Sequence, residues 1–156
     1  MRYVKIFRNV HSGSLRPFAY NADRKYYSYV KNIINTGYQQ CIISSDLMIN
    51  LADEFILKHG GALICVEFLQ EDEELSGEIN ALIDKQCFNK AYWSLLKDRL
   101  IFLNDEESID LKKIEISGRE GDNPYHLHIF MNGIIGLDGD DSITNIVLNI
   151  MEAHIR

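Results

Sequence analysis

The stretch from Tyr125 to His154 restricts this chain more than any other, because it joins two apolar periodicities through a turn. Tyr125-His-Leu-His-Ile-Phe-Met131 alternates and reads as a strand. Ile134-Ile-Gly-Leu137 reads as a second strand. Asn132-Gly133 lies between them, and Asn-Gly between two apolar runs is a strong hairpin signal, since both central residues of a type I′ turn need positive φ. Asp138-Gly-Asp-Asp141 then leads to a helix from Ser142. Its Ile143, Ile146, Val147, Ile150 and Met151 recur with the 3.6-residue period of one helical face. A lone two-stranded hairpin is marginal in water, so this one is expected in a larger sheet with the last helix on its apolar side.

The rest of the chain supplies that sheet and its cover. Arg2 to Arg8 is an expected strand, and Asn9 to Pro17 a loop marked by His11-Ser-Gly-Ser14. Residues 22–36 read as a helix capped by Asn21 or Asp23, with Gly37 just past its end. Gln40 to Ile43 reads as a short strand. Ser45 or Asp46 is the expected cap of a helix through Lys58, with Met48, Leu51, Ala52 and Phe55 inward. Ala62 to Leu69 is apolar nearly throughout, the pattern of a central strand buried on both faces, with Glu67 its one charge. Glu71-Asp72-Glu73-Glu74 opens a helix to about Gln86, where acids complement the macrodipole. A second helical run spans Asn89 to Lys97. Trp93 falls off its apolar stripe and is expected to be partly exposed, as an interface anchor would be.

Arg99 to Leu103 reads as a strand, Asn104 to Glu107 as a turn and Ser108 to Ser117 as a strand. In the last, the apolar parity changes near Lys112-Lys113 and predicts a bulge. Gly118 to Pro124 reads as a charged loop. The expectation is a single α+β domain over residues 1–156. Its mixed or mostly antiparallel sheet ends in a C-terminal strand meander and is packed by four to five helices.

Size and composition agree with one domain. A chain of 156 residues, 46% hydrophobic, buries about 70% of its unfolded surface and needs no metal or disulfide to hold it. Cys41, Cys65 and Cys87 cannot all pair internally, and Cys41 and Cys65 sit in apolar runs where a free thiol acts as a small buried hydrophobe. A reducing compartment follows. The N-terminus has no continuous apolar core of a signal peptide, and no window is long and apolar enough to cross a membrane. The expected location is cytoplasmic.

The net charge of −7 is unevenly distributed. Residues 1–31 hold seven Lys/Arg against Asp23, a balance of +6, and residues 32–156 balance at −13. Surface charge of that size repels nucleic acid and attracts cations. Tyr26, Tyr27 and Tyr29 beside Arg24, Lys25 and Lys31 have the make-up of a base-stacking surface, but they also fit the inner and boundary positions of a helix, which is the reading adopted.

Few motifs carry chemistry. His126 and His128 share a strand face with Phe130, and Asp138, Asp140 and Asp141 follow, so two imidazoles and a carboxylate are available for a transition metal. Asp138-Gly-Asp-Asp141 lacks the alternation and distal Glu of a calcium loop and reads as a turn capped by Asp141 or Ser142. There is no Gly-x-Ser-x-Gly elbow, no P-loop and no Gly-x-Gly-x-x-Gly. No catalytic residue, cofactor or metal ligand is assigned from sequence.

Three acidic runs remain: Glu71, Asp72, Glu73 and Glu74 with Glu78; Asp105, Glu106 and Glu107 with Asp110; and Asp138, Asp140 and Asp141. On one face they would steer a basic protein into contact. In size, charge, α+β layout, free cysteines and lack of a catalytic motif, the chain resembles the small acidic immunity proteins of bacterial toxin systems, including those of contact-dependent growth inhibition. The resemblance is one of overall character, so no residue role comes with it. It implies a cytoplasmic, non-catalytic protein that blocks the active site of one cognate toxin with a basic surface, such as a nuclease, and it involves no membrane or nucleic acid. The acidic runs and Trp93 are then the expected contact residues. One alternative is a metal-dependent hydrolase using His126, His128 and nearby carboxylates. Another is a regulatory or scaffolding module that associates through Trp93 and the hairpin edge.

Overall fold

A computed structural model describes residues 1–155. Strand β1 (Arg2–Asn9) and β2 (Leu15–Tyr20) form a hairpin, followed by helix α1 (Tyr26–Ile34) and the short β3 (Tyr38–Gln40). Helix α2 (Ser45–Lys58), β4 (Gly61–Phe68), α3 (Glu73–Phe88), a single 3-10 turn (Lys90–Tyr92) and α4 (Trp93–Glu107) come next. The meander β5 (Leu111–Glu120), β6 (Asn123–Phe130) and β7 (Ile134–Asp138) leads to α5 (Ser142–Ile155). The sheet order is β2-β1-β7-β6-β5-β4, with β3 paired to β1, and the described ladders are all antiparallel. The α+β domain and its C-terminal meander are thus as expected.

One face of the sheet builds the main core. Ile6, Leu63, Ile114, Ile116, Leu127, Ile129, Ile135 and Leu137 lie against the apolar sides of α2, α3, α4 and α5. On the other face, α1 covers only the β1–β2 end through Phe7, Tyr29 and Val30. That leaves the outer side of β4, β5 and β6 without a helix among the described residues, and it carries the polar Glu67, Lys113, Glu115, Ser117, His126 and His128 together with Cys65 and Phe130. Tyr29 is buried and Tyr27 exposed, as inner and outer positions of one helix require.

Several elements differ from expectation for identifiable reasons. β2 occupies part of the expected Asn9–Pro17 loop, since Asn9 and Ser14 close a tight hairpin instead. Helix α1 starts only at Tyr26, because the Asn21 side chain and carbonyl bind the Asp23 and Arg24 amides and hold residues 21–24 in a turn. The cap of α2 is Ser44, whose Oγ accepts from Leu47 N–H at 3.2 Å, while Ser45 Oγ accepts from Leu111 N–H at 2.9 Å. Arg99–Leu103 is helix, not strand: Trp93, Leu96, Leu100 and Leu103 continue one buried helical stripe.

The Ala62–Leu69 run forms the edge strand β4 rather than a central one. Helices α2 and α3 cover one side of it, and its other side carries the exposed Glu67 and half-buried Cys65. The strand buried on both faces is β7, between β1 and β6. The bulge near Lys112 is present: Glu67 pairs with Lys113 and Phe68 with Leu111, leaving Lys112 over. Gly118 to Pro124 is mostly strand, with only Gly121-Asp122 turning between the Glu120↔Asn123 pair. At Asn132-Gly133, only the glycine has positive φ (84°), and Gly133 N–H bonds the Phe130 carbonyl. The connection is therefore a turn closed by a left-handed glycine rather than type I′.

Candidate functional site

The meander's register assembles the most chemically distinctive cluster. Gly121, with φ 63°, occupies the first central position of a two-residue hairpin turn, where only glycine is comfortable. That turn sets Glu115 opposite His128 and Ser117 opposite His126. The β6–β7 ladder then places Gly136 beside His128 and Asp138 beside His126. Gly136 leaves room for the Met1 and Tyr3 side chains, which would meet any Cβ there.

Glu115 Oε1 lies 2.8 Å from His128 Nε2 and 3.1 Å from His126 Nε2, and the two Nε2 atoms are 3.0 Å apart. Glu115 Oε2 is held by Lys113 Nζ at 3.1 Å. Burial by itself would raise the Glu115 carboxyl, but hydrogen bonds from Lys113, His126 and Cys65 and the charge of His128 outweigh it and bring the group down to about 2. Burial lowers His128, against the opposing pull of Glu115. Burial, with Glu115 nearby, pushes the Cys65 thiol up to about 11, so it stays protonated and is no nucleophile. An open cleft of about 810 Å³, lined by Ser117, Arg119, His126 and Asp138 among others, lies at one side of the cluster.

The acidic residues fall into two places. Leu69 N–H bonds the Asp110 carbonyl at 3.0 Å, Ser45 Oγ reaches Asp110 Oδ1 at 3.5 Å, and Asn104 Nδ2 reaches Asp46 Oδ1 at 3.0 Å. These contacts draw together the start of α2, the end of β4, the end of α4 and the start of β5. Glu71 to Glu74, Asp105 to Glu107, Asp110 and Asp46 therefore share one end of the molecule, with Lys112 the exposed cation of the adjoining bulge. Glu78 is farther along α3 and is paired with Arg99 at 2.6 Å.

Asp138, Asp140 and Asp141 lie at the opposite end of the strands, because β7 runs antiparallel to β6 and leaves the sheet beside Asn123. Asp138 is paired with the Met1 amino group at 3.1 Å, and Asp141 with Arg2 at 2.9 Å. Asp140 Oδ1 accepts from Ser142 N–H at 2.8 Å, and those bonds hold its carboxyl low. The three acidic runs do not share a face.

Trp93 is not an exposed anchor. It is 3% exposed, and its indole N–H donates to Asp53 at 2.9 Å. Its place on the buried stripe shows only when α4 is read to its full length. The exposed aromatics near it are Phe88 (95%) and Tyr92 (38%), the second of which the apolar pattern of residues 89–97 places inward. The β6–β7 hairpin lies inside the sheet, so its edges are already paired.

Sequence reading also missed Glu115. Its signal was present in two parts: the polar parity of Lys113, Glu115 and Ser117, and a Gly-Asp turn that sets the register to the histidines. Comparison of this chain with protein-family models, curated proteins and solved structures found no match.

Proposed function

We propose that this protein is a non-catalytic binding protein that meets a basic protein partner with its acidic end, and that the partner is a toxin it neutralises, as an immunity protein does. The observation that carries the reading is the last turn of α4. Asp105, Glu106 and Glu107 are exposed there with no basic residue among them. A helix C-terminus carries the negative end of the macrodipole and favours cations, so these carboxylates oppose the stability of their own helix. The acids at the start of α3 have an ordinary structural explanation, as Asp72 caps Leu75 N–H at 3.0 Å and Glu73 and Glu74 complement the dipole. Those of α4 have little: Asp105 accepts from the neighbouring Asn104 Nδ2 at 3.3 Å, and Glu107 feels the charge of Arg99, which is already paired with Glu78. Function commonly retains residues that cost stability.

An acidic surface of this kind raises the encounter rate with a basic cleft and is weakened by salt. The test is a pull-down from the native lysate at low and moderate salt. One stoichiometric basic partner is expected, released as salt rises and lost with Asp105→Lys, Glu106→Lys and Glu107→Lys together. Reversing Asp140 and Asp141 is expected to leave capture unchanged. An empty bait, or capture indifferent to the α4 charges, overturns the reading. The alternative of a metal-dependent hydrolase is favoured by one observation, the convergence of Glu115 with His126 and His128, and it requires a bound ion before any reaction.

A further inference from the structure

We infer that Glu115 Oε1 and the Nε2 atoms of His126 and His128 form a binding site for a divalent transition-metal ion. The three donors come from two neighbouring strands, and their atoms all lie within 4.8 Å of one another. Their triangle has edges of 2.8, 3.1 and 3.0 Å.

Protons cannot satisfy all three edges. If both Nε2 atoms carry hydrogen, both donate to Glu115 and the two N–H groups face each other. If only one does, two lone pairs face each other along another edge. A cation near the middle of the triangle accepts all three lone pairs at once.

The edge lengths also point to a coordination geometry. With metal–nitrogen bonds of about 2.1 Å, ligands at right angles are about 3.0 Å apart, and tetrahedral ones about 3.4 Å. The observed edges, which are also ordinary hydrogen-bond lengths, reach an octahedral face with less movement than a tetrahedral one. Two imidazoles and one carboxylate on such a face leave open positions and suit ions such as Fe(II), Mn(II) and Co(II).

The surroundings are those of a prepared site. Lys113 holds the other oxygen of Glu115, leaving Oε1 turned to the imidazoles. Hydrogen bonds of this kind fix the orientation of a ligating carboxylate. The Glu115 and His128 side chains are 17% and 16% exposed and His126 36%, so an ion can enter from the His126 side, next to the Ser117–Arg119 cleft. This site lies on the open sheet face, away from the acidic end, so it stands or falls independently of the inhibitor reading.

The experiment is a cobalt(II) chloride titration of the full chain after chelator treatment, followed by calorimetry and visible absorption. One equivalent with a micromolar or tighter Kd is expected. His126→Ala and His128→Ala should each weaken binding at least tenfold, and Glu115→Gln by 10- to 100-fold. The His154→Ala variant should bind as the unaltered chain does. A second measurement needs no variant: paramagnetic cobalt should broaden the NMR resonances of the His126 and His128 rings before those of His11, His59 or His154. Absence of saturable binding, binding that survives in the His126→Ala/His128→Ala double variant, or broadening centred on another histidine overturns the site.

Discussion

Lys5 shows at the residue scale what the central strands tolerate. Its side chain is fully buried, its ammonium donates to the Asn132 carbonyl, and the group lies 5.6 Å from the ring centres of both Phe7 and Tyr26. Burial lowers it from 10.5 to about 8, against the opposing influence of Cys41. Between those two values the unfolded chain holds a proton that the native lysine has released, so the unfolded state binds more protons and stability rises with pH. Below pH 8 the penalty is fully present, and by about pH 10.5 it is gone, a difference of about 3 kcal/mol. Denaturant unfolding at pH 8 and pH 10 should therefore give the unaltered chain a larger upward pH slope than Lys5→Met. Equal slopes would mean that the lysine is already well solvated. Glu115 teaches the converse lesson: a residue that looks like an ordinary outward-facing strand glutamate acquires its chemistry from the side chain across the ladder.

Helix α4 concentrates the conflict between folding and function at the element scale. Its buried stripe of Trp93, Leu96, Leu100 and Leu103 holds it against the core, so it survives an unfavourable end. Ser108 terminates it in the left-handed region at φ 54°, where glycine would be comfortable. Glu106→Lys with Glu107→Lys should raise stability by about 0.5 kcal/mol each at low salt, read from the denaturant midpoint, with the gain shrinking as salt is added. A loss of stability would mean that these carboxylates have cationic neighbours in solution and would remove the main support for the acidic-end reading. The same helix explains one error of sequence reading. Breaking the run after Lys97 produced a spurious strand and left Trp93 off its stripe, whereas the full helix puts the indole in the core.

The whole molecule is polarised by its strand order. β2, with β1 and α1 next to it, carries the basic N-terminal residues toward one edge of the sheet, and β4 forms the other edge with α3 packed on it. The first strand pairs with the last, so the middle of the sheet closes only when the two ends of the chain meet. Amides of Ile6, Leu127 and Ile135 should accordingly exchange with solvent only through global unfolding, and those of β4 sooner. Exchange mass spectrometry showing β4 as protected as β7 would restore the central placement that its apolar run predicted.

Local pattern by itself determined a good part of this protein: the C-terminal hairpin and helix, the inward face of α2, the bulge at Lys112 and the separation of basic from acidic segments. These depend on periodicity and charge within a few residues. Which strand is central, whether an acidic run is solvated or paired, and which carboxylate meets the two histidines depend on register and strand order. Those are set by pairings between residues far apart in sequence. Only the tertiary structure therefore decided that Asp138 and Asp141 are engaged by the N-terminus, that two acidic runs share one end, and that Glu115 completes the His126–His128 pair.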